Sequence, residues 1–134
     1  MKSEHLNYFN EKVSMIKHSI NVAIPILPAD HDQIKGHENA LGICHGRKSV
    51  RKNDWEPEEI TIDEYFIEEC YDAEINGNWY RLKLVGQNLV EVICHEIAHI
   101  YEWRHNKKHR EITQRLIGLV KAGMPHNIVQ RNAA

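Results

Sequence analysis

The chain has 134 residues and a mass of 15.7 kDa, which predicts a single domain over residues 1–134. Apolar residues make up 42% and charged residues 27%, a composition that excludes intrinsic disorder. No apolar run approaches the roughly 18–20 residues that span a bilayer, and no apolar signal segment follows Met1. Three cysteines without framework spacing favour a reducing compartment. We therefore expect a cytoplasmic protein with no membrane segment.

The net charge of −2 is unevenly distributed. Residues 104–131 carry seven Lys or Arg and one acid, Glu111, a balance of +6, whereas the remaining residues carry ten basic and eighteen acidic side chains, a balance of −8. A second basic cluster comprises Arg47, Lys48, Arg51 and Lys52. Clusters of this kind are either solvated surface or a strip that faces phosphates.

The first third of the chain predicts one helix followed by an extended segment. Apolar residues at spacings of three and four indicate an amphipathic helix from residue 3 to about residue 20, with Ser3 as its N-cap: Leu6, Phe9, Val13, Ile16 and Ile20. Residues 21–29 should be extended because Pro25 and Pro28 disfavour a helix. Polar residues 30–39 predict a loop.

The middle of the chain predicts strands. Residues 40–44 form a short apolar run of strand length, and residues 59–62 (EITI) alternate as a half-buried strand does. The segment from there through Cys70 is expected to turn helical. Asn76-Gly77-Asn78 is a strong turn signal that suits the tip of a hairpin.

The last third predicts two helices. The first covers about residues 87–104, with a buried stripe formed by Leu89, Ile93, Ile97 and Ile100. Residues 105–108 interrupt the pattern, and a second stripe predicts a helix that ends near Gly123, before Pro125: Ile112, Leu116, Leu119 and Val120. Helix, strands, helix and helix in this order predict an α+β fold.

The segment His95-Glu96-Ile97-Ala98-His99 is an HExxH motif within a predicted helix. Residues four apart lie on one helix face, so the imidazoles of His95 and His99 can bind one metal ion. Glu96 is rotated by about 100° from His95, which suits a general base on a metal-bound water better than a third ligand. The motif therefore predicts a catalytic Zn²⁺ site with Glu96 as base.

A third protein ligand is required, and three residues compete for the role. His105 has the metzincin distance from His99, but that motif has glycine where this chain has Glu102, and the helix must turn sharply there. His109 lies beyond the break, at the start of a helix that can fold back beside the first. Glu111 is a third choice, as a carboxylate ligand.

The run from His95 to His105, followed by His109, resembles the SprT-like (Spartan-type) zinc metallopeptidases. The upstream segments Leu41-Gly42-Ile43-Cys44 and Ile60-Thr61-Ile62-Asp63 are similar to the two strands that precede the active-site helix in that family. The resemblance covers residues 3–122 and implies a zincin-like fold: an N-terminal helix, a small β-sheet, the HExxH helix and a following C-terminal helix. It also implies zinc held by His95, His99 and His109, in a minimal protease core without the C-terminal zinc ribbon.

These residues predict a zinc-dependent endopeptidase that hydrolyses peptide bonds in protein or peptide substrates. The alternatives are a DNA-binding or phage-type accessory protein that keeps the zinc scaffold without turnover, and a zinc-stabilised structural domain. The resemblance further suggests action on DNA-associated proteins, with weak, sequence-independent contact to DNA through Arg104, Lys107, Lys108 and Arg110. Four tyrosines are candidate oxyanion donors: Tyr65, Tyr71, Tyr80 and Tyr101.

Overall fold

The computed structural model describes the backbone of residues 1–34, 40–49 and 54–133, and side chains within 1–34, 40–48 and 55–123. The predicted α+β class is confirmed, because helices surround a small three-stranded sheet. The elements in chain order are α1 (Ser3–Ser19), β1 (Ile26–Ala29), α2 (His31–Ile34), β2 (Gly42–Ser49), β3 (Asp54–Asp63), α3 (Glu64–Asn76), α4 (Tyr80–Val85), α5 (Leu89–Tyr101) and α6 (Lys107–Ala133).

The sheet has the order β1-β3-β2, so the longest strand, β3, lies in the centre. β1 runs parallel to β3, with Ile26 opposite Ile60, and β2 runs antiparallel to it, with Gly42 opposite Ile62. Both strand segments predicted from the sequence are confirmed within β2 and β3. The β2 register shifts after His45, which is the signature of a β-bulge.

One face of the sheet and the inner faces of the helices share an apolar core. The side chains with no exposed surface come from α1, β3, α3, α5 and α6, among them Phe9, Ile16, Ile60, Ile67, Ile93 and Val120. Two predicted stripe residues lie outside this core: Leu6 is 38% exposed and Leu119 is 48% exposed. The predicted apolar stripes therefore identify the buried faces of the helices, with the exceptions of Leu6 and Leu119.

Two predictions for the N-terminal part are wrong in detail. Ser3 is the first residue of α1 rather than its cap; Lys2 is the N-cap, and its carbonyl accepts from the His5 and Leu6 amides. The expected loop over residues 30–39 contains the short helix α2, which forms because the Gln33 amide donates to the Asp30 carbonyl and Ile34 is buried. Residues 35–39 of that loop lie outside the described residues.

Asn76-Gly77-Asn78 does form a turn, but it joins two helices rather than two strands. Gly77 has φ 75° and ψ 13°, the left-handed conformation that glycine adopts without steric cost, and its amide caps the end of α3. The Asp72 carboxylate accepts from the side-chain amides of Asn76 and Asn78 at 2.9 and 2.6 Å. The same residue pattern thus serves a helix C-terminus as well as a hairpin.

The last two helices also differ in length from the predictions. α5 is shorter than the predicted 87–104, since Asn88 caps its start and the extended Glu102 ends it after Tyr101. α6 continues to Ala133 instead of ending near Gly123. A proline inside a helix removes one backbone hydrogen bond and its ring clashes with the carbonyl four residues earlier, but the result can be a kink rather than the end of the helix. None of the helices within the described residues is long and apolar enough to cross a membrane.

Candidate metal centre

The HExxH motif lies in the second half of α5, and the local sequence fixes how that helix is rotated. Asn88 and Glu91 form a reciprocal capping box at its start. The buried side chains of Leu89, Ile93 and Ile97 turn one face of α5 toward the core, and the helix packs against β2, β3 and α6. The motif histidines therefore face the gap between β2 and the start of α6.

Four imidazoles converge in this gap. The ligand atoms of His95, His99 and His109 lie within 4.8 Å of one another, so this group could hold a metal ion. His105 Nε2 lies 3.2 Å from His95 Nε2 and 3.1 Å from His99 Nε2. The two histidines that compete as third ligand in the sequence therefore both reach the cluster, and the assignment of His109 stays a prediction.

The third-choice ligand, Glu111, lies apart from the cluster. Its side chain is 66% exposed, and its Oε1 lies 3.9 Å from Lys107 Nζ, one turn earlier on α6. A carboxylate that faces solvent on the outer side of α6 does not contribute a ligand from this position.

The electrostatics of the site favour the neutral imidazoles that metals bind. Burial, together with the neighbouring histidines, lowers the pKa of His95 and of His99 to about 4. Burial also lowers the pKa of His109. His99 Nδ1 donates a hydrogen bond to the Glu102 carbonyl at 3.1 Å. The unprotonated Nε2 is therefore the atom of His99 that can bind a metal ion.

Glu96 is a buried carboxyl beside this cluster. Only 5% of the residue is exposed, and its Oε1 lies 3.9 Å from His99 Nε2. Burial raises the pKa of Glu96 to about 7, in the range that suits a group that both takes and returns a proton near neutral pH.

Gly42 on β2 makes room for this carboxyl, a role that the sequence reading did not assign. A Cβ at position 42 would lie 3.2 Å from Glu96 Cγ and 2.7 Å from Ile62 Cδ1. The strand backbone can approach the Glu96 side chain this closely only because residue 42 has no side chain. The sequence does show a glycine near the start of a predicted strand. It contains no feature that indicates the contact between this glycine and Glu96.

A cavity of about 490 Å³ opens onto the site. Its walls come from the start of β2 on one side, and from His95, Glu96, His99 and His105 on the other. Trp55 and Trp103 also line it, with ring centroids 6.4 Å apart.

The four candidate oxyanion tyrosines do not line this cavity. Tyr65 and Tyr71 border a separate polar cavity beside α3, and Tyr80 and Tyr101 are exposed by 72% and 56%. Spacing alone could not locate them, because their positions depend on how α3, α4 and α5 pack. The structure therefore removes these tyrosines from the candidate site.

The cysteines do not extend the metal-binding group. Burial raises the pKa of each thiol to about 12, which keeps the sulfur protonated and a poor ligand. Cys94 is fully buried beside His95, as expected for a core position, and Cys44 lines the cavity.

The basic strip beside the site is exposed. Four side chains around the start of α6 face solvent: Arg104, Lys107, Lys108 and Arg110. In the second cluster Arg47 and Lys48 are exposed on β2, whereas Arg51 and Lys52 lie outside the described residues.

Comparison with known proteins adds no identification. No protein-family model matches the chain, and neither a curated protein nor a solved structure does.

Proposed function

We propose that this protein is a zinc-dependent endopeptidase. The observation that carries the proposal is the position of Glu96, a buried carboxyl 3.9 Å from His99 Nε2, at the wall of a cavity shared with His95 and His99. A site that only stabilises a fold has no use for this carboxyl, and its burial disfavours the ionised form. A hydrolytic site needs such a base.

The donor set fits zinc. Neutral imidazoles are common zinc ligands, and three of them with one open position are typical of catalytic zinc sites. A zinc ion held here would polarise the carbonyl of a peptide bond and lower the pKa of a bound water. The side chains of the cavity leave room on the β2 side for a substrate to approach.

Glu96 supplies the proton transfers. The carboxylate accepts a proton from the attacking water and then donates it to the departing amine, so that it returns to its starting state after each turnover. Burial raises the pKa of Glu96 to about 7 in the metal-free protein, and a bound cation would lower it again, toward the ionised form that accepts the proton. The absence of a side chain at Gly42 leaves room for the Glu96 side chain against β2.

The family and fold assignments are part of the proposal. The helix α1, the small sheet, the HExxH helix α5 and the following α6 occur in the order expected of a SprT-like, zincin-like core. This order and the motif support membership of that family. Its substrates would be proteins or peptides, including proteins bound to DNA.

The test is Glu96→Gln, with Glu111→Gln as a matched control at an exposed glutamate. In Glu96→Gln, the rate of hydrolysis of a fluorescently labelled casein should fall by about 10²–10⁴-fold. The zinc content should stay near one equivalent by elemental analysis. Glu111→Gln should retain both activity and zinc. Zinc-loaded wild type without hydrolysis would contradict the proposal, and loss of zinc from Glu96→Gln would contradict the role of Glu96.

A further inference from the structure

The cavity beside the histidine cluster is largely apolar away from the imidazoles. Apolar side chains form much of its wall: Leu41, Ile43, Trp55, Val92 and Trp103. Among the described residues that line it, Gln87 is the only amide, hydroxyl or charged side chain besides Glu96 and the histidines. A cavity with this lining favours an uncharged, apolar group, because a charged group would lose its hydration without gaining a partner.

Trp55 reaches this cavity across the bare backbone of β2. A Cβ at Gly46 would lie 2.7 Å from Trp55 Cζ2 and 2.9 Å from Trp55 Cη2. Gly46 directly follows the register shift of β2. The indole therefore occupies space that any side chain at position 46 would fill, and this glycine is what allows the ring to lie there.

Trp103 meets Trp55 from the segment that follows α5. The two ring centroids are 6.4 Å apart and the planes are 31° apart, so the indoles form one continuous aromatic wall. The Arg104 guanidinium carbon lies 5.2 Å from the Trp103 ring centroid and supports the ring by a cation–π contact. Trp103 is nevertheless 53% exposed. The aromatic wall thus leaves apolar surface that a ligand can cover.

The aromatic wall and the histidine cluster line the same cavity. Trp103 is four residues after His99, and it follows Glu102, whose carbonyl accepts from His99 Nδ1. The cavity volume of about 490 Å³ is within the range of about 300–1,000 Å³ that is common for ligand pockets. A peptide with one bond at the histidine cluster would therefore bring a neighbouring side chain onto the indoles.

We infer that Trp55 and Trp103 determine the specificity of the proposed peptidase, because the aromatic wall binds a large apolar side chain of the substrate beside the bond that is cut. Phenylalanine, leucine and methionine belong to this class. The inference rests on the proposed function for hydrolysis, but the binding of the side chain requires no turnover. Covering the indoles removes apolar surface from water, which favours such a side chain over serine or lysine.

The first test maps the cleavage sites of zinc-loaded wild type in a mixed peptide library by mass spectrometry. Large apolar residues should be enriched about tenfold at one position beside the cut. Trp103→Ala and Trp55→Ala should each lower this enrichment toward the library frequency at unchanged zinc content. Trp79→Ala, which removes an indole that is 46% exposed and lies outside the cavity, is the matched control and should keep the enrichment.

The second test uses zinc-loaded Glu96→Gln, so that binding is measured without hydrolysis. Titration calorimetry compares two peptides that differ only by phenylalanine or serine at the enriched position, or at a central position if no enrichment is found. The phenylalanine peptide should bind about tenfold more tightly. Adding Trp103→Ala should remove most of this difference. Because Trp103 is half exposed, this variant should fold, and it decides the outcome even if Trp55→Ala unfolds.

Cleavage without enrichment, or enrichment that persists in Trp103→Ala, would overturn the inference and leave the proposed function intact. If zinc-loaded wild type hydrolyses no peptide, the proposed function is wrong and the calorimetry alone decides the inference, since equal affinity for the two peptides would contradict it. Equal affinity for the peptides together with binding of a single-stranded oligonucleotide that Trp103→Ala abolishes would assign the aromatic wall to nucleobases instead.

Discussion

The metal-free Glu96→Gln variant should become more stable relative to wild type as the pH rises. The same substitution is expected to abolish the proposed activity. Burial raises the pKa of Glu96 from 4.5 to about 7 in the folded protein. The folded state therefore holds this proton more tightly than the unfolded state does. The contribution of Glu96 to stability is complete below about pH 4.5, and it is lost as the pH rises toward 7.

The magnitude follows from the pKa difference. One pKa unit corresponds to about 1.36 kcal/mol, so the ionised Glu96 costs the folded state about 3 kcal/mol above pH 7. His95 and His99 act with the opposite sign, because their lowered pKa of about 4 removes stability as the pH falls from 6.5. The contribution of His95 is common to wild type and variant and cancels in their difference, whereas that of His99 cancels only in part, because its Nε2 lies 3.9 Å from Glu96 Oε1.

The assay is urea unfolding of both proteins in excess chelator between pH 4 and 8, followed by circular dichroism. The free energy of unfolding of Glu96→Gln minus that of wild type should increase by about 3 kcal/mol across this range. A constant offset from the new amide does not affect that change. A difference that stays flat with pH would refute the argument that burial holds this carboxyl protonated, and a difference that decreases would reverse its sign.

Four further variants test the ligands, the close approach of β2 and the DNA contact. His95→Ala and His99→Ala should each lose zinc in elemental analysis and melt at a lower temperature in calorimetry, because metal binding stabilises only the folded state; retained zinc would contradict their assignment as ligands. Gly42→Ala should cost about 1–3 kcal/mol through overpacking and lower the hydrolysis rate at unchanged zinc content, and an unaffected rate would show that the close approach of β2 is unimportant. In fluorescence anisotropy, wild type should bind DNA at about 50 mM salt and much less at about 200 mM. The Lys107→Glu/Lys108→Glu double variant should bind weakly at both salt concentrations. If wild type does not bind at the lower salt concentration, the DNA contact is excluded.

The parts of this site that could be predicted from the sequence are those that depend on helical periodicity alone. His95 and His99 are one turn apart in any α-helix, and the apolar stripe of Leu89 and Ile93 determines which way they face. Glu96 could be assigned on the same basis. The strand around residues 40–44 could be predicted from its apolar run and the one around residues 59–62 from its alternation, but their pairing order could not.

What the sequence left open depends on tertiary structure. His105 and His109 both reach the cluster because α5 ends after Tyr101 and the chain turns back from the extended Glu102. The contact between Gly42 and Glu96 joins distant parts of the chain. Neither has a periodic signature, because each arises from packing between elements rather than within one.

The four histidines and the general base all come from one continuous stretch, residues 95–109, whereas the sheet joins partners as distant in the chain as Ile26 and Ile60. A short connection keeps its two ends at high effective concentration, and its closure costs little chain entropy. The α5–α6 hairpin therefore brings the proposed ligands together through contacts that are local in the chain, unlike the pairing of β1 with β3. A local opening of the sheet that leaves this hairpin closed also leaves the ligand set together.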